Sequence, residues 1–262
     1  MARKIVITSG KGGVGKTTVC ANVGNMLASS GFKVVVMDLD IGLNNLDVVL
    51  GVESKVVFDV FDVLSGRCRA RQALIQDSQN PYLFIMPSNH SNENLSKAEI
   101  KRVVGELDEF FDYILIDCPA GIEDGFHRAV SVADEAIVVV TPHISSLRDA
   151  DKVITILLSL GISNIYGIVN RVRGDLVVGK EMLSVEDIYE LLQIKMIGAI
   201  PEDDAIGTLS SIGGTVGNKC DSARAFDLIG ENIVEGSSKI YDCTLNYRGI
   251  LGLIKRKLKK KI

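Results

Sequence analysis

The chain has 262 residues, 47% apolar but only 5% aromatic, with 29 Lys/Arg against 33 Asp/Glu. That is ample material for one large α/β domain built on an aliphatic, Val/Ile-rich parallel sheet. The five scattered cysteines (Cys20, Cys68, Cys118, Cys220, Cys243) form no Cys-x-x-Cys pair and the three histidines (His90, His127, His143) lack ligand spacing, which argues against a disulfide or zinc framework and for reduced thiols in the cytoplasm.

The first expected strand, residues 4–9, is a short apolar run, too short for a secretory signal. It enters Gly10-Lys11-Gly12-Gly13-Val14-Gly15-Lys16-Thr17-Thr18, a Gly-x-x-x-x-Gly-Lys-Thr phosphate-binding loop. Such a loop sets backbone N–H groups around phosphate oxygens, supplies a lysine for the β/γ phosphates and offers a hydroxyl to Mg²⁺. A helix over 17–30, stopped at Gly31, completes the strand, loop and helix order that the chemistry requires. The strand at 33–39 runs into Asp38 and Asp40.

A helix is expected over 58–64, a strand over 82–86, a polar loop over 87–96 and a helix over 97–107. The strand at 113–118 carries Ile114-Leu115-Ile116 into Asp117, the Walker B arrangement in which a carboxylate holds Mg²⁺ directly or through water. Further strands are expected at 135–141, 166–171 and 196–200, and helices at 146–160, 184–192 and 221–235, with another polar loop at 213–219. Ser184 and Asp187 have capping spacing. The longest apolar run, near 153–162, is well short of the roughly 20 residues that a spanning helix needs. Strand and helix alternate almost throughout, which predicts a predominantly parallel twisted sheet covered on both faces.

The stretch 236–247 reads as a tether between a body of residues 1–235 and a tail of residues 248–262. The tail has seven Lys/Arg and no acid, leaving 22 bases against 33 acids in the rest, a poor match to nucleic acid. Ile250, Ile254, Leu258 and Ile262 recur every four residues with Leu251 beside them, within an arc of about 120° on a helix. Lys255, Arg256, Lys259 and Lys260 lie opposite, while Lys257 and Lys261 snorkel from the edge of the stripe. A basic helix with such a stripe fits the plane of an anionic membrane; a disordered basic end or a nucleic-acid arm does not need the stripe.

Lys11-Gly12-Gly13-Val14-Gly15-Lys16-Thr17-Thr18 resembles the deviant Walker A loop of the ParA/MinD ATPases, set apart from ordinary P-loops by its early lysine. The likeness extends through Asp38-Leu39-Asp40-Ile41-Gly42-Leu43-Asn44-Asn45-Leu46-Asp47, Asp117-Cys118-Pro119-Ala120-Gly121-Ile122-Glu123, Ser145-Ser146-Leu147-Arg148-Asp149-Ala150-Asp151 and Ile200-Pro201-Glu202-Asp203. It is strongest toward the members that place the division site. It weakens over 205–222, where Gly207-Thr208-Leu209-Ser210-Ser211 replaces a more polar, Arg- and Asn-containing stretch.

The resemblance implies a P-loop NTPase fold and ATP with Mg²⁺ as ligands. Residues Lys11 to Thr18 would cradle the phosphates, Lys16 would bind the β/γ pair, and Thr17 would ligate the metal. Asp40 would orient the attacking water and help hold the metal, and Asp117 would support the metal through water. Asn170, Pro201, Glu202 and Asp203 would face the adenine. Lys11 would cross a two-fold interface to the ATP of a second subunit, so hydrolysis would be slow until dimerisation and activation.

Implied partners are a MinC-type division inhibitor, with the helix 146–160 (Arg148, Asp149 and Asp151 exposed) as its surface, and possibly a MinE-type activator. The implied location is the cytoplasm and the inner face of the cell membrane. Alternatives are a flagellar-number regulator of the same family, a DNA-partitioning ATPase, which would want a basic body, and an iron–sulfur reductase, which would want a cysteine pair.

Overall fold

A computed structural model describes residues 1–40, 45–88, 95–216 and 220–259. Within them the chain forms eight strands: β1 (Arg3–Thr8), β2 (Val34–Asp38), β3 (Ile75–Gln76), β4 (Leu83–Met86), β5 (Tyr113–Asp117), β6 (Glu135–Val140), β7 (Asn164–Val172) and β8 (Lys195–Pro201). They make one sheet in the order β3-β4-β2-β5-β1-β6-β7-β8. Every pairing is parallel except β3 with β4. All seven expected strands are present; β3 is an added antiparallel edge of two residues, too short to show an alternation.

Alternate residues of each strand feed two separate cores. Val6, Val35, Met37, Ile114, Ile116 and Val138 pack on one face, beneath the helices Lys97–Leu107, Asp124–Val130, Ile144–Ser159 and Val185–Leu192. Ile5, Ile7, Val34, Val36, Leu115 and Ile137 face the other way, beneath Lys16–Ser29 and Asp221–Glu235. Burial on both faces explains why the strands read as continuous apolar runs.

Local chemistry sets the helix ends. Ser96 and Glu99 exchange hydrogen bonds at the start of Lys97–Leu107, and Ser184 and Asp187 do so before Val185–Leu192. Gly236, at φ 70°, stops Asp221–Glu235 in the left-handed conformation that glycine adopts without strain. The helix expected over 146–160 starts earlier, at Ile144, because the Ser146 hydroxyl accepts from Thr141 N (3.1 Å) inside the first turn instead of capping it. The helix expected over 58–64 starts later, at Val60, where Asp59 caps it reciprocally with Asp62. Short helices at Leu46–Val49, Ala70–Ala73, Asp124–Val130, Gly174–Val178 and Asp204–Ser211 lie in stretches with no full helical period.

Residues 236–248 lie along the body. Asn232 donates to Ile197 O and Lys239 O (both 2.8 Å) and accepts from Ser237 Oγ and Lys239 N, while Lys195 Nζ donates to Gly236 O (2.6 Å). Tyr241 packs against both cores, so this segment wraps the β8 edge of the sheet. A 3₁₀ turn at Leu245–Tyr247 leads into the helix Gly249–Lys259. No described helix is long and apolar enough to cross a membrane.

Candidate nucleotide site

β1 lies mid-sheet between β5 and β6, so its carboxyl end is the point where the winding reverses, the usual ligand crevice of an open α/β sheet. The loop from Ser9 to Gly15 leaves that end and feeds the helix Lys16–Ser29. Gly13 (φ 76°) and Gly15 (φ 95°) take left-handed conformations that curl the loop. Gly10 is needed for a different reason: a Cβ there would run into the backbone of Asp149, so the loop lies directly on the helix Ile144–Ser159. Ser9 Oγ donates to Lys11 O (2.8 Å), and Gly121 N donates to Ser9 O (3.1 Å).

The two lysines of the loop differ sharply in surroundings. Lys16 is 7% exposed and lies near Asp40 and Asp117, whose ionised forms it favours. Lys11 is exposed, and among the described residues it makes no ion pair.

Parallel pairing of β2 with β5 sets Asp38 directly opposite Asp117. Burial, with Asp38 as its next cause, pushes the Asp117 carboxyl up to about 8, against the opposing help of Thr17 and Lys16. Burial raises Asp38 to about 6 although its carboxylate accepts from Asp40 N (2.9 Å) and Leu46 N (3.3 Å). Asp40, half-buried, is also raised by burial and held down by Lys16.

Asp117 Oδ1 is buried and, among the described residues, has no hydrogen-bond partner. Two crowded carboxyls, an unsatisfied carboxyl oxygen and the neighbouring Thr17 hydroxyl form a donor set that suits a hard divalent cation. Mg²⁺ suits such a set, since it binds through one or two protein oxygens while keeping waters and taking phosphate oxygens.

The expected base-binding residues come together beside the loop. A cavity of about 270 Å³ is lined by Gly15, Thr18, Asn170, Pro201, Glu202 and Asp203, with Arg171, Ile206 and Ser210 as further walls. Asn170 Nδ2 donates to Val14 O (2.8 Å), tying β7 to the phosphate loop, and the same amide presses on Gly15, where a Cβ would lie 2.5 Å from it. The Asp203 carboxylate is engaged within the fold: it accepts from Ala205 N (3.0 Å), Ser222 N (3.3 Å) and Ser222 Oγ (2.9 Å). It thus shapes the cavity wall.

Arg171, in a left-handed conformation (φ 58°), and the helix Asp204–Ser211 are parts of this pocket that sequence reasoning missed. The signal for Arg171 was its position directly after Asn170 at a strand end; the helix, with Gly207 and two serines, gave none. Asn22 was also missed: buried in the Lys16–Ser29 helix, it donates to Thr18 O (2.8 Å) and accepts from Val216 N (2.6 Å).

Several expectations fall wholly or partly beyond the described residues. They are His90, the Ile41-Gly42-Leu43-Asn44 part of the Asp38 motif, positions 89–94 and 217–219 of the two polar loops, and Lys260, Lys261 and Ile262 of the tail. The side chains of Ile250, Leu251, Lys257, Leu258 and Lys259 lie outside them too, whereas Ile254 and Lys255 are exposed and Arg256 is half-buried. On the helix Ile144–Ser159, Arg148 and Asp151 are exposed; Asp149 is half-buried and pairs with Lys152 (3.4 Å).

A family profile described as an AAA domain matches residues 2–161. A putative septum site-determining protein MinD from Guillardia theta is 50% identical over 208 residues, 79% of this chain and 77% of that one. Among solved structures, MinD of the Aquifex aeolicus MinC:MinD cell division complex superposes with a TM-score of 0.87 at 41% identity, covering 92% of this chain and 98% of that one. The Mg-ADP complex of the septum site-determining protein MinD from Pyrococcus horikoshii gives 0.81 at 32% identity, covering 89% and 96%. By the phosphate loop, the paired strand-end carboxyls and these likenesses, the chain belongs to the MinD family of septum site-determining P-loop ATPases.

Proposed function

We propose that this chain is an ATP-driven switch that carries a MinC-type inhibitor to an anionic membrane surface, and that hydrolysis ends the attachment. The observation that carries this reading is the contrast between Lys16, buried beside the carboxyls, and Lys11, exposed at the lip of the same loop. Lys16 serves the nucleotide of its own subunit. Lys11 is free to serve the nucleotide of a second copy, as a cation supplied to developing phosphoryl charge only when two subunits meet.

In this reading the loop N–H groups from Lys11 to Thr18 hold the phosphates, and the pocket of Asn170, Pro201, Glu202 and Asp203 holds the base. Thr17, with Asp117 acting through water, would hold Mg²⁺, which neutralises phosphate charge and fixes the line of attack. Asp40, half-buried beside Lys16, accepts a proton of the attacking water and orients it. The tail of residues 248–262 lies in the membrane surface, and the helix Ile144–Ser159 offers Arg148 and Asp151 to the inhibitor. A MinE-type activator is the expected accelerator of turnover.

The test is light scattering and phosphate release for the native chain and Lys11→Ala, each with ATP or ADP. The native chain should dimerise with ATP alone. Lys11→Ala should bind nucleotide yet stay monomeric and lose turnover. Unchanged ATP-dependent dimerisation and turnover in Lys11→Ala would refute the role in trans. Vesicle sedimentation with and without residues 248–262 tests attachment.

A further inference from the structure

The nucleotide pocket has a second side. The turn Pro201-Glu202-Asp203-Asp204 that walls the base cavity also walls a neighbouring cavity of about 250 Å³, whose opposite face is Tyr241, Cys243, Asn246 and Tyr247 of the C-terminal segment. A four-residue partition therefore stands between the base and the strap that leads to the tail.

The strap is seated closely. Gly174 admits it: a Cβ at that position would strike the Cys243 carbonyl and crowd the Tyr247 ring. Cys243 is buried there. Asp242 caps the turn by accepting from Thr244 N (2.9 Å) and pairs with Arg248 (3.0 Å) at the strap's end. Beyond it, Gly252 of the tail helix lies on the Tyr247 backbone, again where a Cβ would not fit.

From the partition side, Glu202 N donates to Val172 O (3.0 Å), and Arg173 pairs with Asp175 (2.7 Å) and reaches Glu202 at 3.9 Å. The junction between β7 and the helix Gly174–Val178 thus touches the base turn through Arg173 and the strap through Gly174.

We propose that the strap, residues 236–248, is a positioning element of the nucleotide site, holding the base-binding turn through the segment 172–174 and coupling base occupancy to the seating of the tail helix. The coupling rests on the reading of the 270 Å³ cavity as the base site, and its first arm needs no membrane. A nucleotide base bears on the turn and, through Val172, Arg173 and Gly174, on Cys243 and Tyr247; a ligand with phosphates alone engages the loop and leaves the turn unbraced. By reciprocity, loosening the strap weakens ligands that carry a base and spares those that do not.

The experiment uses the full chain, with Gly174→Val to unseat the strap and Arg248→Ala as a milder variant that removes only the Asp242 pair. Calorimetry measures Mg²⁺ complexes of ADP and of pyrophosphate, and hydrogen exchange follows amides 239–248. In the native chain ADP should slow strap exchange about five-fold or more, and pyrophosphate should not. Gly174→Val should weaken ADP about five-fold with pyrophosphate unchanged, and Arg248→Ala should do so by a smaller factor.

Equal loss of both ligands in Gly174→Val, or strap exchange indifferent to ADP in the native chain, would overturn the coupling. Should Gly174→Val fail to fold, Arg248→Ala and native-chain exchange decide the matter alone. If ADP and pyrophosphate bind the native chain equally well, the base-site reading itself falls, an outcome distinct from loss of the coupling.

Discussion

The crowded carboxyls at the ends of β2 and β5 give the most exposed prediction: Asp117→Asn should make the ligand-free protein more stable, and only above the acid range. Below about pH 3 both the folded and unfolded chains keep Asp117 protonated, so the substitution changes little. As pH rises past the ordinary value of 3.8, the unfolded chain releases the proton while the fold, with this group pushed up to about 8, retains it. Folding then binds a proton, so stability falls with pH until about 8 and levels off there.

At 1.36 kcal/mol per pKa unit, the stability forfeited by pH 7 is on the order of 4 kcal/mol as an upper bound, because Asp38 shares the charge and water can relax the pair. A realised gain of about 1–3 kcal/mol would raise the melting temperature by roughly 3–10 °C in a chain of this size. Melting curves of the native and Asp117→Asn proteins, without nucleotide, from pH 4.5 to 8.5 test it. The gap between them should open with pH, and Mg-ADP should stabilise the native protein more than the variant. A gap constant across the range would refute the argument that the pair stores electrostatic strain until a cation arrives.

Three further outcomes are expected. Asn170→Ala removes the 2.8 Å bond to Val14 O and one wall of the base cavity, and should weaken ADP about ten-fold in calorimetry. Gly10→Val drives a side chain into the Asp149 backbone and should cost about 2 kcal/mol or more in chemical denaturation while displacing the phosphate loop, so that nucleotide affinity falls with stability. Ile254→Glu, at a position 54% exposed, should leave the melting temperature unchanged and reduce sedimentation with anionic vesicles severalfold.

What was legible in the sequence follows how local the physics is. The loop from Gly10 to Thr18 and the carboxyls Asp38 and Asp117 are dictated within a few residues by strand, turn and helix chemistry, and the structure brings them together at the end of β1. Asn170 and Pro201 to Asp203 come from the ends of β7 and β8, far in sequence from the phosphate loop they join, so only the family resemblance pointed to them; nothing in their own spacing does. The seating of the expected tether, 236–247, was illegible for another reason. The segment is mostly polar, reads as a linker, and is held by one asparagine, one buried cysteine, a tyrosine spanning two cores and one glycine, Gly174, on the receiving side. None of these leaves a periodic mark. β3 and the helix Asp204–Ser211 escaped because one is two residues long and the other carries Gly207 among weak helix formers.

Under the proposed cycle two subunits would hold a membrane where one would not, and a seated strap bears on the reason. Each cation near an anionic surface contributes about 1 kcal/mol, and a single short amphipathic helix gives reversible attachment. Joining two such helices in one dimer multiplies affinity by up to about 10²–10⁴, but only where both reach the surface together. A flexible tether would grant that gain to almost any arrangement of the two bodies. A tail that leaves the body from Tyr247 and Gly252 in close contact grants it only to arrangements in which both exits face one plane. Under the proposed cycle, the lysine that crosses the interface and the strap behind the base pocket then answer to the same event. In that cycle Lys11 would make turnover depend on the second subunit being present, and the strap would make attachment depend on how that subunit is oriented.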